Sequence, residues 1–365
     1  MKFQCNSYDM ISRLKSLAGV LPSRSVNTIL DNFLVEAADG AVKLTASDSR
    51  LTLTTTFEAD VSEEGRGAVP GKLFTEVISR MDGAVTVTMS DKCIFTVRSS
   101  GSKTTIAGQD ASLYPELPAR PDAHEIHIAQ DVFQRMIDMT AFSVGVDDMR
   151  EVLNGVYLCV ENGKATMVGL DGFRLATCET LISDYECCKA IIPLKGINSI
   201  ARLLTGGDDI VALAVDNNGL SASVGGYDLY VQLIQGDYIK WQGIIPKTFT
   251  TTVTVNAQLM RGAVERAMVM ARQGNNNLLH FCVTGDEMAV EARSQIGDVH
   301  EALDVLHEGD DITIAFNAKY VFDVLKAVGD GEITIRLTGG VNPCVIQPAK
   351  NSGVTFLILP VRTQA

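Results

Sequence analysis

The sequence predicts an α+β fold built from three copies of one unit, and three observations predict it. A helix-like segment recurs at a fixed interval: Pro70, Pro193 and Phe316 open its copies, Gly83, Gly206 and Gly329 close them, and each set is spaced by 123 residues. Around these copies run stretches in which apolar and polar residues alternate, the pattern of half-buried antiparallel strands. At 365 residues the chain also exceeds the roughly 250–300 residues that one hydrophobic core supports.

Taken in order, Lys2 to Cys5 reads as a short strand and is followed by an amphipathic helix with Met10, Leu14 and Leu17 on its apolar side. GVLPSR is a turn ending at Arg24, and the alternating run from Ile29 to Ala59 breaks at Asp39-Gly40, the mark of a strand pair. Gly67 to Pro70 leads into a second helix with Phe74, Val77, Ile78 and Met81 on one face, and AVTVTMSDKCIFTVRSSGSKTTIAG supplies three more strands. One domain therefore holds two strand–helix–strands units. Pro115, Pro118 and Pro121 mark an exposed linker and a second boundary falls near Pro246 and Lys247, giving domains 1–121, 122–246 and 247–365.

The second domain repeats the order of elements. Asp31 with Asn154, and Asp48 with Asp171, are again 123 apart, and Asn277 continues the first series. In the middle helix Ile197, Ile200, Ala201 and Leu204 share one face, and Lys195, Asn198 and Arg202 another. In the third copy Asp323 falls in the core phase. The apolar set that works there, Val321, Val324, Leu325 and Val328, sits one residue later, which predicts a local register change.

A net charge of −13 argues against a nucleic-acid partner until its distribution is counted. The six helical segments carry +5 and everything else −18, so helices on a common side would give an acidic protein one locally basic surface. No apolar run approaches the ~20 residues of a membrane span, and MKFQCNSYDM lacks signal-peptide form, so a cytoplasmic protein with no membrane partner is expected. The eight cysteines have no CxxC pair and read as buried thiols of a reducing compartment, with a redox role open for Cys187-Cys188 in a loop.

Catalytic constellations are scarce. His124, His127, His280, His300 and His307 have no metal-ligand spacing, Gly206-Gly207-Asp208-Asp209 follows a helix instead of opening one, and no GxSxG, GxGxxG or GxxxxGK[ST] occurs. Asp147 and Asp148 could serve a metal-dependent nucleic-acid hydrolase, but read more simply as a solvated loop in which Arg150 pairs locally. No metal or cofactor is expected. Lys72 and Lys195 lie 123 apart, at one position of successive repeats and so on one face of whatever the repeats build. A scaffold binding only proteins is the further alternative.

MKF, GVLPSR with ILDNFL, LTASD, AVPGKLF, FSVGVDDMREVLNGV, VGLDGFRLA, IIPLKG, FNAKYVFDVL and FLILPVR follow one another in an order that resembles the bacterial sliding clamp family, the beta subunits of replicative DNA polymerase, over essentially the full length. The resemblance implies three clamp domains per chain and a homodimer closing a ring on duplex DNA, with helices lining the hole and antiparallel sheets outside. It implies a non-enzymatic processivity factor whose partners are the replicative polymerase, the clamp loader and other proteins carrying a clamp-binding peptide. Carried over by position, the DNA-facing residues are Arg24, Lys72, Arg150 and Lys195. The peptide groove between the second and third domains is Leu170, Gly172, Phe173, Arg174 and Leu175, then Ile239 and Ile244, Asn317 and Tyr320, Val341 and Pro343, and Leu357, Leu359, Pro360, Val361 and Arg362. The dimer contact pairs Thr104 and Ile106 with Val269 and Met270, with Lys103 and Arg272 at its rim. Phe173 stands where some relatives carry His, and Thr363-Gln364-Ala365 extends past the usual end; both would bear on peptide preference.

Overall fold

A computed structural model describes residues 1–22, 27–183, 187–207, 209–274, 277–350 and 352–362. Arg24, Asp208 and the Thr363-Gln364-Ala365 tail lie outside the described residues. Six α-helices are described: α1 (Ser7–Ala18), α2 (Gly71–Ile78), α3 (Gln130–Thr140), α4 (Leu194–Ala201), α5 (Ala257–Ala271) and α6 (Ala318–Val328). Each begins at the residue after a strand ends.

Capping chemistry makes these abrupt strand-to-helix switches. Asn6, Asn256 and Asn317 turn their side-chain oxygens onto the N–H groups of Tyr8, Leu259 and Lys319, while Pro70 precedes α2 without a side-chain cap. The other half of each domain secures the first helix: Ser7 N–H donates to Gly83 O, Gln130 N–H to Asp209 O and Ala257 N–H to Gly331 O, at 2.7–2.8 Å. Gly83, Gly206 and Gly329 all have φ between 71° and 80° with open space where a side chain would go, so backbone conformation is what demands glycine there.

The register change in the third copy is present. α6 starts one residue later than the 123-residue interval would place it, Val321, Val324 and Leu325 are buried, and Asp323 is taken out of the core. In α4 one expectation shifts: the helix ends at Ala201, and the turn that closes Leu203 N–H onto Ile200 O buries Leu203 and leaves Leu204 half-buried.

The chain divides into two compact units, Met1–Phe133 with Lys195–Leu233, and Gln134–Leu194 with Ile234–Ala365. The first holds a five-stranded sheet ordered Asp60–Glu63, Lys2–Asn6, Ala84–Met89, Ile94–Ser99, Ser102–Ala107, and an eight-stranded sheet. In the eight-stranded sheet, strand Leu51–Glu58 pairs antiparallel with Tyr227–Gln232, joining strands from the first and second repeats, with Leu53 opposite Leu229. The second unit repeats that junction in a nine-stranded sheet, where Arg174–Leu181 pairs with Val354–Ile358 and Ala176 lies opposite Phe356. Its other sheet has four strands and ends at Gly297–Asp304.

Candidate partner groove and nucleic-acid-facing lysines

Of the residues expected to form a groove, Leu170, Phe173, Arg174, Leu175, Ile239, Tyr320, Leu357 and Leu359 meet in the second unit around one turn. Between strands Lys164–Leu170 and Arg174–Leu181, Asp171 Oδ1 accepts the N–H groups of Phe173 (2.8 Å) and Arg174 (2.9 Å), and Gly172 takes φ 88°. That turn aims Leu170 and Leu175 into a buried cluster with Leu153, Val168, Trp241, Val345 and Leu357, against which Ile239, Ile245, Leu359 and Tyr238 pack. Phe173 is left 59% exposed, its ring stacked 6.2 Å from Tyr320. Leu359 N–H donates to Phe173 O and Val361 N–H to Ala315 O, which holds the C-terminal segment along the same wall.

Arg174 is the fixed charge beside this turn. It is 8% exposed, its Nε donates to Asp171 Oδ2 (2.9 Å), its Nη1 to Asp323 Oδ2 (2.6 Å), and its guanidinium sits over Tyr320 at 4.6 Å from the ring centroid. Burial, and then the negative charge of Asp171, raise the Tyr320 phenol above its ordinary value, so the ring stays neutral. Asn317 caps α6, so its side-chain oxygen is already engaged. Ile244 is 36% exposed, Val341 67% exposed and Arg362 exposed, while Pro343 and Pro360 are half-buried.

Of the DNA-facing candidates, Lys72 is exposed at the second position of α2 and makes no ion pair among the described residues. Lys195, at the second position of α4, binds Asp48 Oδ2. Lys319 is the second residue of α6, so the one-residue shift hides a third lysine of the same series. A cation in the first turn opposes the helix dipole, so local stability does not account for its recurrence. Arg150 pairs with Asp148 (3.2 Å), and Arg150's side-chain hydrogen bond holds the Asp148 carboxyl below its usual range. The paired carboxylates are thus separated: Asp148 is engaged by Arg150, and Asp147 sits at φ 54°. Among the described residues no group of three or more His, Cys, Asp or Glu is gathered to hold a metal.

Thr104 lies on strand Ser102–Ala107, one of the two edges of the five-stranded sheet, with Ile106 of the same strand buried. Val269 of α5 is 60% exposed, whereas Met270 is half-buried with its sulfur 3.9 Å from Ser294 Oγ. Lys103 and Arg272 are exposed. All eight cysteines are free thiols: Cys178 and Cys344 are buried, Cys187 is exposed, and burial pushes Cys188 up to about 11, which keeps it a thiol. No described helix is long and apolar enough to cross a membrane.

Three family profiles match in succession: the DNA polymerase III beta subunit N-terminal domain over residues 1–118, its central domain over 127–240 and its C-terminal domain over 242–362. The chain belongs to the DNA polymerase III beta subunit family. It is 28% identical to the beta sliding clamp of Staphylococcus epidermidis and 27% identical to that of Staphylococcus aureus, covering the whole of both chains in each comparison. The crystal structure of the DNA polymerase sliding clamp from Bacillus subtilis superimposes with a TM-score of 0.97 at 25% identity, and that of the DNA polymerase III beta subunit from Thermotoga maritima with 0.92 at 25%, each over 100% of both chains.

Within this beta-subunit chain, sequence reasoning missed Leu153, Val168, Trp241, Ile245 and Val345 of the cluster, the two carboxylates that fasten Arg174, and Lys319. Trp241 and Ile245 sit in a connecting segment with only a short 3₁₀ turn, Trp241–Gly243, where no periodicity marks which side is buried. The signal for Lys319 was the register change itself.

Proposed function

We infer that this chain is a DNA sliding clamp, a non-catalytic processivity factor whose dimeric ring encircles duplex DNA and tethers the replicative polymerase, the clamp loader and other partners. The observation that carries the reading is an edge-strand junction made twice and left open once. Leu53 against Leu229 and Ala176 against Phe356 each join the third residues of their strands. Among the described residues, Gly297–Asp304 and Ser102–Ala107 end their sheets without such a neighbour.

A second copy supplies it. Carrying the register over by position sets Thr104 opposite Val299 of the partner subunit and Ile106 opposite Gly297 of the partner subunit, with exposed Val269 and half-buried Met270 beside the contact. Lys72, Lys195, Lys319 and Arg24 are the phosphate contacts of this reading, and Arg150 a weaker one because Asp148 already holds it. Three domains, 1–121, 122–246 and 247–365, account for the three-fold register, and a cytoplasmic location follows from the role. Sequence-independent phosphate contacts alone hold duplex at Kd on the order of 10⁻⁴–10⁻⁶ M and weaken steeply with salt. A closed ring retains DNA by topology, so the contacts can remain weak enough to slide.

The groove around Leu170, Leu175 and Arg174 is the docking site for short apolar peptides of the partners. Light scattering across a dilution series should give a mass near twice 39.3 kDa, and loaded protein should stay on circular DNA in high salt and leave once it is linearised. A monomer at every concentration, or loss from circles as fast as from linear DNA, would sink the reading.

A further inference from the structure

One carboxylate oxygen serves two sites. Asp323 Oδ2 accepts from Arg174 Nη1 at 2.6 Å and from Lys319 Nζ at 2.7 Å. Arg174 is the buried cation of the peptide groove, and Lys319 is the exposed lysine at the helix position shared with Lys72 and Lys195. All three residues belong to one compact unit. We propose that Asp323 couples the two sites, so that duplex bound at Lys319 weakens a peptide whose carboxylate engages Arg174, and the reverse. The proposal rests on the groove and phosphate assignments made above.

Charge balance sets the coupling. Asp171, Arg174, Asp323 and Lys319 sum to zero, and the Asp323 side chain is 16% exposed, so removing both cations from it leaves a mostly desolvated carboxylate without a partner. A DNA phosphate that draws Lys319 away leaves Arg174 as Asp323's partner. A peptide carboxylate that draws Arg174 toward the groove leaves Lys319. Either event alone is compensated, but both together strand a largely buried carboxylate, and that cost is the coupling. Because the coupling is a free energy between two binding events, it is reciprocal. Arg174 also has Asp171, which limits its travel, so the larger displacement is that of Lys319 toward phosphate, while the coupling energy is the same read from either site.

The test is fluorescence anisotropy of a labelled six-residue peptide with three leucine side chains and a free C-terminal carboxylate, titrated with the full-length dimer at low salt, with and without saturating 30-base-pair duplex. Wild-type protein should bind the peptide roughly fivefold more weakly in the presence of duplex. Asp323→Asn and Lys319→Ala should each bring that ratio to within twofold of one, and a C-terminally amidated peptide should show little coupling on wild-type protein. An unchanged ratio in both variants, or a ratio of one in wild-type protein that binds peptide and duplex separately, overturns the coupling alone. Wild-type protein that fails to bind the peptide at all overturns the groove assignment and the coupling with it.

Discussion

The two described junctions between repeats share a backbone and differ in what it carries. At the first, Asp48 Oδ1 accepts the N–H groups of Arg50 and Leu51 and Ser49 takes φ 81°; at the second, Asp171 Oδ1 accepts those of Phe173 and Arg174 and Gly172 takes φ 88°. The turns are the same turn, 123 residues apart. Yet Leu170 and Leu175 stand where the first junction has Ser47 and Thr52, whose hydroxyls bond each other at 2.9 Å in a buried position. Asp48 Oδ2 holds Lys195, while Asp171 Oδ2 holds Arg174. A duplicated scaffold thus offers an apolar wall with an anchored cation at one junction and a satisfied polar pair at the other. At the Asp171 junction the apolar side chains that still meet water are those around the leucines, Phe173 and the half-buried Ile239, Ile245 and Leu359, and these are what an apolar peptide would cover.

The largest effect should come from exchanging those contents. Leu170→Ser with Leu175→Thr puts two hydroxyls into a cluster where the leucines are already 7% and 1% exposed, so about 1.5–3 kcal/mol for each should be lost from folding stability, and peptide affinity should fall about tenfold or more as the residues packed on the cluster lose their support. Isothermal titration with the leucine-rich peptide reads this, and the dimer mass by light scattering shows that the fold survives. Retention of near-wild-type affinity would move the docking site away from this turn.

A smaller, sharper contrast comes from one substitution made at both turns. Asp48→Asn and Asp171→Asn each keep a side-chain oxygen for the turn and discard the ionic partner. Asp48→Asn releases Lys195, so duplex binding should strengthen at low salt and the slope of log K against log salt should steepen by about 0.9, one phosphate contact. Asp171→Asn frees Arg174 from the carboxylate that limits its travel and should strengthen binding of the peptide's carboxylate about tenfold, the scale of one charge-assisted hydrogen bond, with the salt slope for duplex unmoved. If both variants changed the same readout, the two junctions would not be functionally distinct.

How much of this was legible in the sequence divides along the same line. The repeat, the helix starts and the alternating strands follow from local chemistry with a fixed period, so Phe74, Ile78, Ile197, Ile200, Val321 and Leu325 could be assigned to the core by phase alone. Leu170 and Leu175 were legible as strand positions, but not their cluster with Leu153, Trp241 and Val345, because those partners are distant in sequence and share no period with them. Lys195 read as a free cation because Asp48 is distant in sequence; only the fold brings them together. Asp323 is the instructive case. It broke the apolar phase of its helix, and the structure turns that break into an ion pair with both Arg174 and Lys319. A residue that violates its local pattern without disturbing the fold points to chemistry elsewhere.

The finest distinction lies at the turn's left-handed residue. Gly172 and Ser49 occupy the same conformation, so replacements there should have opposite signs. Gly172→Ala puts a Cβ at φ 88° and 3.0 Å from Arg150 Nη2, a cost of about 1–2 kcal/mol in a urea midpoint. Ser49→Gly relieves that strain but gives the unfolded chain more freedom, so a net gain below about 1 kcal/mol is expected. The sign carries the argument. If Gly172→Ala were neutral, the turn would not need a glycine for its backbone, and the absence of a side chain at Gly172 would instead be read as room for a peptide passing between Arg150 and Phe173.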